Sequence, residues 1–421
     1  MGITSAMYSG VSGLNTNSQA MSVIGNNLAN TNTVGFKGAR TLFSDMLSSN
    51  VSGSGGVSQV GRGVNVSIVD NIFSQGTFES TSSATDVAIE GEGFFLVKAS
   101  DDETIYYTRA GSFRFDEDGY LVNPEGYRVQ GKQYDTIAND TLIPGDPSDI
   151  QVNNEGLSGA QASENITFNT NLDAGAALIT AAWDPDDPDT YSYSASVEVY
   201  DSLGQGHTVS LYWCHTDVSE WEWYWTAEDA NGVAVGQAVG DTAAGTITFD
   251  TDGTLLTGGT STGDLAAIDW DNGSDAQDLD LAFDCTQYDS DSIVISQEQD
   301  GWAAGSLTEV AIDDDGNVVA SYSNGQTVNI AQLSLAKFKN PNGLSLEGSN
   351  LYAATTDSGE PRVGAPGSEL GTIYTSSLEQ SNVDMGQEFV RMITVQRGFQ
   401  ANSKIISTVD ELLSELINLK R

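Results

Sequence analysis

Six apolar residues, Leu378, Met385, Met392, Phe399, Ile406 and Leu413, recur at every seventh position late in the chain, and Val395, Val409 and Leu416 fill sites three residues further on. This a/d stripe specifies an amphipathic helix whose seam wants a helical partner. The segment runs without proline from Ser377 to Asn418, 42 residues, which as one helix would extend about 63 Å at 1.5 Å per residue. No small domain needs such a rod for itself.

The first residues mirror it. Met7, Leu14, Met21 and Leu28 are seven apart, with Val11 and Ile24 supporting the same stripe. Gly10, Gly13 and Gly25 each cost on the order of 1 kcal/mol of helix stability relative to Ala, so this helix is marginal alone. The helix leads into "GNNLANTNTVGFKGAR" (25 to 40), a polar, glycine-rich stretch with no recognisable catalytic group. Two apolar stripes at opposite ends of the chain point to termini that pair with each other and with neighbouring copies. An intramolecular two-helix hairpin is the plainer alternative.

Between the ends the patterns have period two. "YSYSASVEVYDSLGQGHTVSLYW" (191 to 213) puts Tyr191, Tyr193, Ala195, Val197 and Val199 on one strand face, and "EWEWYWT" (220 to 226) does the same with Trp221, Trp223 and Trp225. A Trp ladder serves either as a sugar-stacking platform or, more commonly, as packing against a second sheet. Three look-alike stretches, "FDEDGYLV" (115 to 122), "FDTDGTLL" (249 to 256) and "IDDDGNVV" (312 to 319), place Asp-Gly between strand formers. An EF-hand frame on each fails: it puts Arg114 at loop position 1, or Gly259 and Tyr322 where the Glu belongs. Hairpins with tight two-residue turns fit better. The fold class expected is mixed and mainly β, with sandwich-like or barrel-like domains inserted between N- and C-terminal helices that pair in a coiled-coil-like manner.

Charge is uneven. The 421 residues hold 16 Lys plus Arg and 59 Asp plus Glu, a net charge of −43, and no Lys or Arg occurs between Lys132 and Lys337, where 36 acidic residues lie. Such a chain does not compete for nucleic-acid phosphates or an anionic membrane surface. The acidic block reads as a solvated outer face suited to salty surroundings, with divalent-cation binding, for which "WDPDDPD" (183 to 189) is also a candidate, as the sharper alternative.

Enzyme chemistry finds little footing, and neither a catalytic group, a cofactor nor a metal ligand set is assigned. His207 and His215 sit in or beside strands, and "CH" at 214 to 215 lacks the second pair of a zinc site. "GTSTG" around Ser261 lies in a Gly/Thr loop rather than at a strand-to-helix turn. "SGSGGVSQVGRG" (52 to 63) has no Walker Lys and reads as a flexible connector. With Cys214 and Cys285 alone there is no disulfide framework, although one bond between them is open. The first residues do not read as a secretory signal, and no stretch approaches the roughly 18 apolar residues of a membrane span, so export would take another route.

Four segments carry a family resemblance: "SGLNTNSQAMSVIGNNLANTNTVGFKGAR" (12 to 40), "DVAIEGEGFFLV" (86 to 97), "YTRAGSFRFDEDGYLVNPEGYRVQG" (107 to 131) and "SSLEQSNVDMGQEFVRMITVQRGFQANSKIISTVDELLSELINL" (376 to 419). They resemble the bacterial flagellar rod and hook axial proteins. "VEVYDSLGQGHTVSLYW", "AIDDDGNVVASYSNGQT" and "LAKFKNPNGLSLEGSNLYAAT" look like the hook branch of that family, whose long central insertion the distal-rod branch lacks. The resemblance implies a self-assembling helical homopolymer in the extracellular part of the flagellum. It implies rod, hook-cap and hook–filament junction proteins as partners and export through the flagellar type III apparatus. It also implies an inner tube from 1–30 with 376–421, a connector from 31–75 with 360–375, a first β domain from 76–145 with 295–359, and an outer acidic β domain from 146–294. The stripe residues would then pack between subunits, and Asn27, Asn30, Gly35, Phe36 and Lys37 would form the connector, with Phe36 anchoring it to the body.

Overall fold

The computed structural model describes residues 3–53, 56–135, 141–152, 157–367 and 369–419. The chain is mainly β with one long helix at each end, α1 (Ile3–Ala29) and α2 (Met385–Leu419). No described helix is long and apolar enough to cross a membrane.

α2 begins at Met385 because Asp384 caps it. The carboxyl Oδ1 of Asp384 accepts the N–H of Gly386 (2.7 Å) and of Gln387 (3.2 Å), donors that a helix start leaves unsatisfied. Leu378, expected on the helical stripe, therefore lies in the strand Ser377–Glu379, paired antiparallel with Phe78–Ser80. With 35 residues, α2 extends about 52 Å rather than about 63 Å.

The helices run antiparallel, Gly10 facing Ile406, Gly13 facing Asn402 and Asn17 facing Gly398. The buried line along α1 is Gly10, Gly13, Thr16, Ala20, Ile24 and Asn27. Gly13, Ala20 and Asn27 each stand one residue before Leu14, Met21 and Leu28. Glycines that weaken an isolated helix thus let two backbones approach: a Cβ at Gly13 would stand 2.5 Å from Asn402 Nδ2.

The chain forms two compact units, and the helices belong to the first, which comprises residues 1–154, 310–320 and 328–421. After α1 comes an antiparallel pair, Ala39–Asp45 with Val64–Asn71. The segment 52–63, expected to be a flexible connector, contributes instead to a hairpin, Ser49–Gly53 with Gly56–Val60. The body of this unit centres on Phe94–Lys98, which pairs with Ile105–Thr108, Arg128–Asp135 and Leu335–Lys337. Its core includes Ile89, Phe95, Val97, Leu121, Ile150 and Leu335, all at most 1% exposed.

The second unit, residues 155–309 and 321–327, is a sandwich of a six-stranded and a four-stranded sheet. Trp213, Trp221, Trp223 and Ile247 of the first sheet meet Phe168, Leu279 and Phe283 of the second in one core. The Trp ladder is therefore interior, and its faces are closed to a glycan. The boundaries differ from those expected: Ile293–Gln299 pairs with Asn165–Asp173, which holds 295–309 in the second unit, whereas Ser148–Asp149 pairs with Arg128–Asp135 in the first.

The Asp-Gly turns follow another geometry than the two-residue one expected. In Asp116–Gly119, Asp250–Gly253 and Asp313–Gly316 the glycine amide donates to the carbonyl of the first Asp, and only the glycine takes positive φ, at 78°, 79° and 78°. In the first and third of these turns the first Asp also caps the turn with its side chain. Asp116 Oδ1 accepts from Asp118 N and Tyr120 N, and Asp313 Oδ1 from Asp315 N and Asn317 N. This is the longer hairpin connection with a glycine bulge, and it employs acidic residues as backbone acceptors.

Candidate functional site: the junction of helices and body

Among the described residues of the sandwich, the two histidines and two cysteines serve packing. His207 stacks on Trp270 at 4.0 Å with Nε2 3.0 Å from Asp201 Oδ2, and His215 stacks on Trp221 with Nδ1 2.9 Å from the carbonyl of Ala176. Both are packing histidines. Cys214 and Cys285 are buried free thiols, not a disulfide. Among the described residues no three His, Cys, Asp or Glu side chains cluster with the geometry of a metal site.

The convergence lies where α1 leaves for the body. Asn27, in the last turns of α1, uses its whole amide on Ala39: Oδ1 accepts from Ala39 N (2.9 Å) and Nδ2 donates to Ala39 O (2.7 Å). Asn30 Nδ2 donates to Asn26 O, and Asn30 Oδ1 accepts from Thr33 Oγ1, so the turn is held by side-chain amides. Gly35 takes φ +69°, and a Cβ there would stand 2.5 Å from Ala110 N. Only glycine satisfies both demands. Its N–H donates to the carbonyl of Glu379 (2.7 Å).

Lys37 rather than Phe36 is the anchor. Phe36 is half-buried, whereas the Lys37 side chain is closed to solvent and its Nζ lies 2.6 Å from Glu379 Oε1. Lys37 Nζ also donates to Ser74 O (2.9 Å), and Glu379 Oε1 accepts from Gly76 N (2.9 Å). Arg109, 3% exposed, completes a triad: its Nη1 stands 3.5 Å from Glu379 Oε2, its Nη2 donates to Gly91 O (2.8 Å), and its guanidinium lies over the Phe94 ring. Burial pushes both cations below their ordinary values, and the Glu379 charge opposes that shift in each. Asn382 adds a neutral tie, accepting from Gly38 N (2.8 Å) and donating to Ile72 O (2.7 Å). The arrangement fixes both helix-bearing ends of the chain to one point of the body.

Glu379 and Arg109 escaped residue-by-residue reading, although both stand in the stretches "SSLEQSN" and "YTRAGS". Nothing in their local pattern marks a charge as buried.

The stripe residues are dispersed by the helix pairing. Ile24 and Val409 are buried; Met7, Leu14, Met21, Leu28, Met392, Val395, Ile406 and Leu413 are half-buried; Val11, Met385 and Phe399 are exposed. The side chain of Leu416 lies outside the described residues. Further apolar side chains face solvent in the single chain, Tyr8 on α1 and Phe389, Val390, Ile393, Ile405 and Leu412 on α2.

Four family models match in chain order. They are the flagella basal body rod protein (7–37), the flagellar hook protein FlgE/F/G D1 domain (88–158), the flagellar basal body protein FlaE D2 domain (171–302) and the flagellar basal body rod FlgEFG protein C-terminal (375–419). The flagellar hook protein FlgE of Borreliella burgdorferi is 35% identical, with 99% of each chain covered. That of Escherichia coli K12 is 34% identical, with 99% of this chain and 100% of the relative covered. The crystal structure of Helicobacter pylori flagellar hook protein FlgE2 has the same fold at TM-score 0.50 and 16% identity, over 72% of this chain and 99% of that one. Similarity end to end, at an identity that fixes kinship, joins the triad's three segments to one lineage: this chain belongs to the flagellar hook protein family.

Proposed function

We propose that this chain is the structural subunit of the bacterial flagellar hook, assembling into a short, curved, flexible tube that carries motor torque from rod to filament as a universal joint. The observation that carries this reading is the end-to-end similarity to proteins named flagellar hook protein, together with helices that leave a row of large apolar side chains in water. Phe389, Val390 and Ile393 stand within one turn of α2, and neighbouring exposed apolar side chains of this kind mark an interaction surface. Contacts between different faces of identical copies do not close, and so generate a filament.

In this reading α1 and α2 form the inner tube, the stripe residues and their exposed neighbours pack between subunits, and the acidic sandwich lies outermost. The triad at Lys37, Arg109 and Glu379 sets the angle between tube and body. The bending then belongs to the outer units, which have no Lys or Arg with which to bridge one another and meet through water, polar groups or cations. Rod, hook-cap and hook–filament junction proteins are the partners at its ends, and the flagellar type III apparatus exports it to the cell exterior. The role is mechanical, with no reaction assigned.

An antibody raised against residues 157–309 tests the reading on isolated flagella by electron microscopy. Gold on the short curved segment between envelope and filament is the expected result. Gold confined to the straight rod, or none on intact flagella with an accessible epitope, overturns it.

A further inference from the structure

In the second unit the stretch 180–191 is held over a sheet by its side chains rather than by a ladder. It leaves and rejoins the strand Gly206–Asp217 at the two residues that flank Cys214: Ile179 N donates to His215 O (2.8 Å), and Ser192 N donates to Trp213 O (2.8 Å). Between these feet it arches across the outer face of the six-stranded sheet. Trp183, 2% exposed, lies flat on Tyr224 with ring centroids 4.6 Å apart and stands edge-on to Tyr212 at 5.6 Å. Beneath the arch, Cys214 Sγ donates to Thr190 O (3.3 Å). The cluster of Trp183, Cys214 and Tyr224 shares no residue with the core of Trp213, Trp221 and Trp223 on the inner face.

The arch is built to move as one piece. Thr190 Oγ1 accepts from Asp184 N (3.1 Å) and lies 2.7 Å from the carbonyls of Asp184 and Asp187, while Asp184 Oδ1 accepts from Asp186 N and Asp187 Oδ1 from Asp189 N. Pro185 and Pro188 stiffen it further. Among the described residues, two hydrogen bonds tie it to the rest of the unit between its feet, the one from Cys214 and one from Gly240 N to Trp183 O (3.1 Å). Two features oppose its closure. Trp183 Nε1 is buried without a partner, which wastes a donor that water would satisfy. Asp184, Asp186, Asp187 and Asp189 also set four carboxylates in six residues above a sheet that presents Glu222 opposite Cys214, and the unit has no Lys or Arg to offset them.

We propose that Trp183–Tyr191 is a charge-sprung lid: it lifts from Tyr212, Tyr224 and Cys214 while the sandwich core stays folded, and salt holds it down. Screening is the lever, because exposed like charges act over about 10 Å at 0.1 M salt and only about 3 Å at 1 M. Opening uncovers an aromatic face and one thiol, whereas Cys285 lies in the sandwich core and stays covered. The lid belongs to the second unit alone and does not depend on polymer.

The test exposes the unpolymerised full chain to N-ethylmaleimide at pH 8 and locates the label by peptide mass spectrometry, each rate being divided by that of the denatured chain at the same salt. At 0.1 M NaCl, Cys214 should label over hours, about tenfold or more faster than Cys285 and without the urea dependence of global unfolding. In 1 M NaCl the Cys214 rate should fall about threefold or more. Asp186→Asn, Asp187→Asn and Asp189→Asn combined, all at exposed positions, should produce that fall at 0.1 M NaCl and remove the salt effect. Equal rates for the two thiols, or a Cys214 rate that follows urea as that of Cys285 does, would mean that the arch opens only with the whole sandwich and would overturn the lid. A Cys214 rate unmoved by salt and by the three asparagines overturns it too, since charge would then not be the spring. If the triple variant loses the parent's circular dichroism, the salt series on the unsubstituted chain decides alone.

Discussion

Lys37 and Glu379 are 342 positions apart, yet their charged atoms lie 2.6 Å from each other with neither side chain exposed to solvent. Arg109 shares the same carboxyl, so two buried cations depend on one anion. Removing the anion is the severe lesion. Glu379→Gln should cost about 3 to 5 kcal/mol, because it leaves two uncompensated buried charges, while Lys37→Met, which leaves Arg109 and Glu379 matched, should cost clearly less. Urea unfolding followed by circular dichroism ranks the two, and the reverse order would refute the account.

Gly13 offers a test of the helix contact. Replacing a helical glycine by Ala gains about 1 kcal/mol of intrinsic helix propensity, but here the new methyl would meet the Asn402 amide at 2.5 Å. Gly13→Ala alone should therefore gain less than this, because Asn402 must move, and in an Asn402→Ala background it should gain the full amount of about 1 kcal/mol. Thermal melts of the four chains form the cycle that reads the difference.

The thiols should be inert. Burial, helped by nearby acidic charge, pushes both Cys214 and Cys285 up to about 12, and the thiolate is the reacting form. Ellman's reagent at pH 8 should find essentially no thiol in the native chain and two in denaturant. Prompt labelling of the folded protein would contradict the sandwich core.

Acid should weaken the second unit through Asp201. Burial raises its carboxyl, but hydrogen bonds from Asn272, His207 and the amides of Gln205 and Leu203 outweigh that and hold it below the ordinary carboxylate value. The stabilisation is present above the unfolded value, near pH 4, and is lost as pH falls through the folded value. Asp201→Asn should lower stability at pH 7 and lose less than the parent between pH 5 and pH 2. Tryptophan fluorescence in urea at each pH measures both, and equal losses would remove Asp201 from the explanation.

Counter-ions should matter to the same unit. With 36 acidic residues and no Lys or Arg between Lys132 and Lys337, self-repulsion is relieved by screening or by bound cations. Raising NaCl, or adding Ca²⁺ at constant ionic strength, should raise the melting temperature or promote polymer. Indifference to both would show that the acidic face is already fully hydrated and separated.

The parts legible in the sequence were those written in local periodicity. Heptad spacing marked both helices, and alternation of Trp221, Trp223 and Trp225 marked a core-facing strand. The same spacing misled at Leu378, which is in register with Met385 by sequence count but is separated from it by the Asp384 cap. The stripe also named the large residues, whereas the helices touch through Gly10, Gly13 and Ala20, since close approach selects for small side chains. The triad was not legible because burial of Lys37, Arg109 and Glu379 comes from three segments meeting, which no window of sequence contains. Likewise, Asp116, Asp250 and Asp313 counted as surface charge, while each serves a turn as well.

The acidic sandwich is spliced into the middle of a chain whose flanks close on each other through α1, α2 and the Lys37–Glu379 pair. Under the proposed hook assembly, its length and surface charge could change without altering the flanking stretches that would register with the next copy. Tolerance of the surroundings and fidelity of assembly would then be carried on separate stretches of one polypeptide.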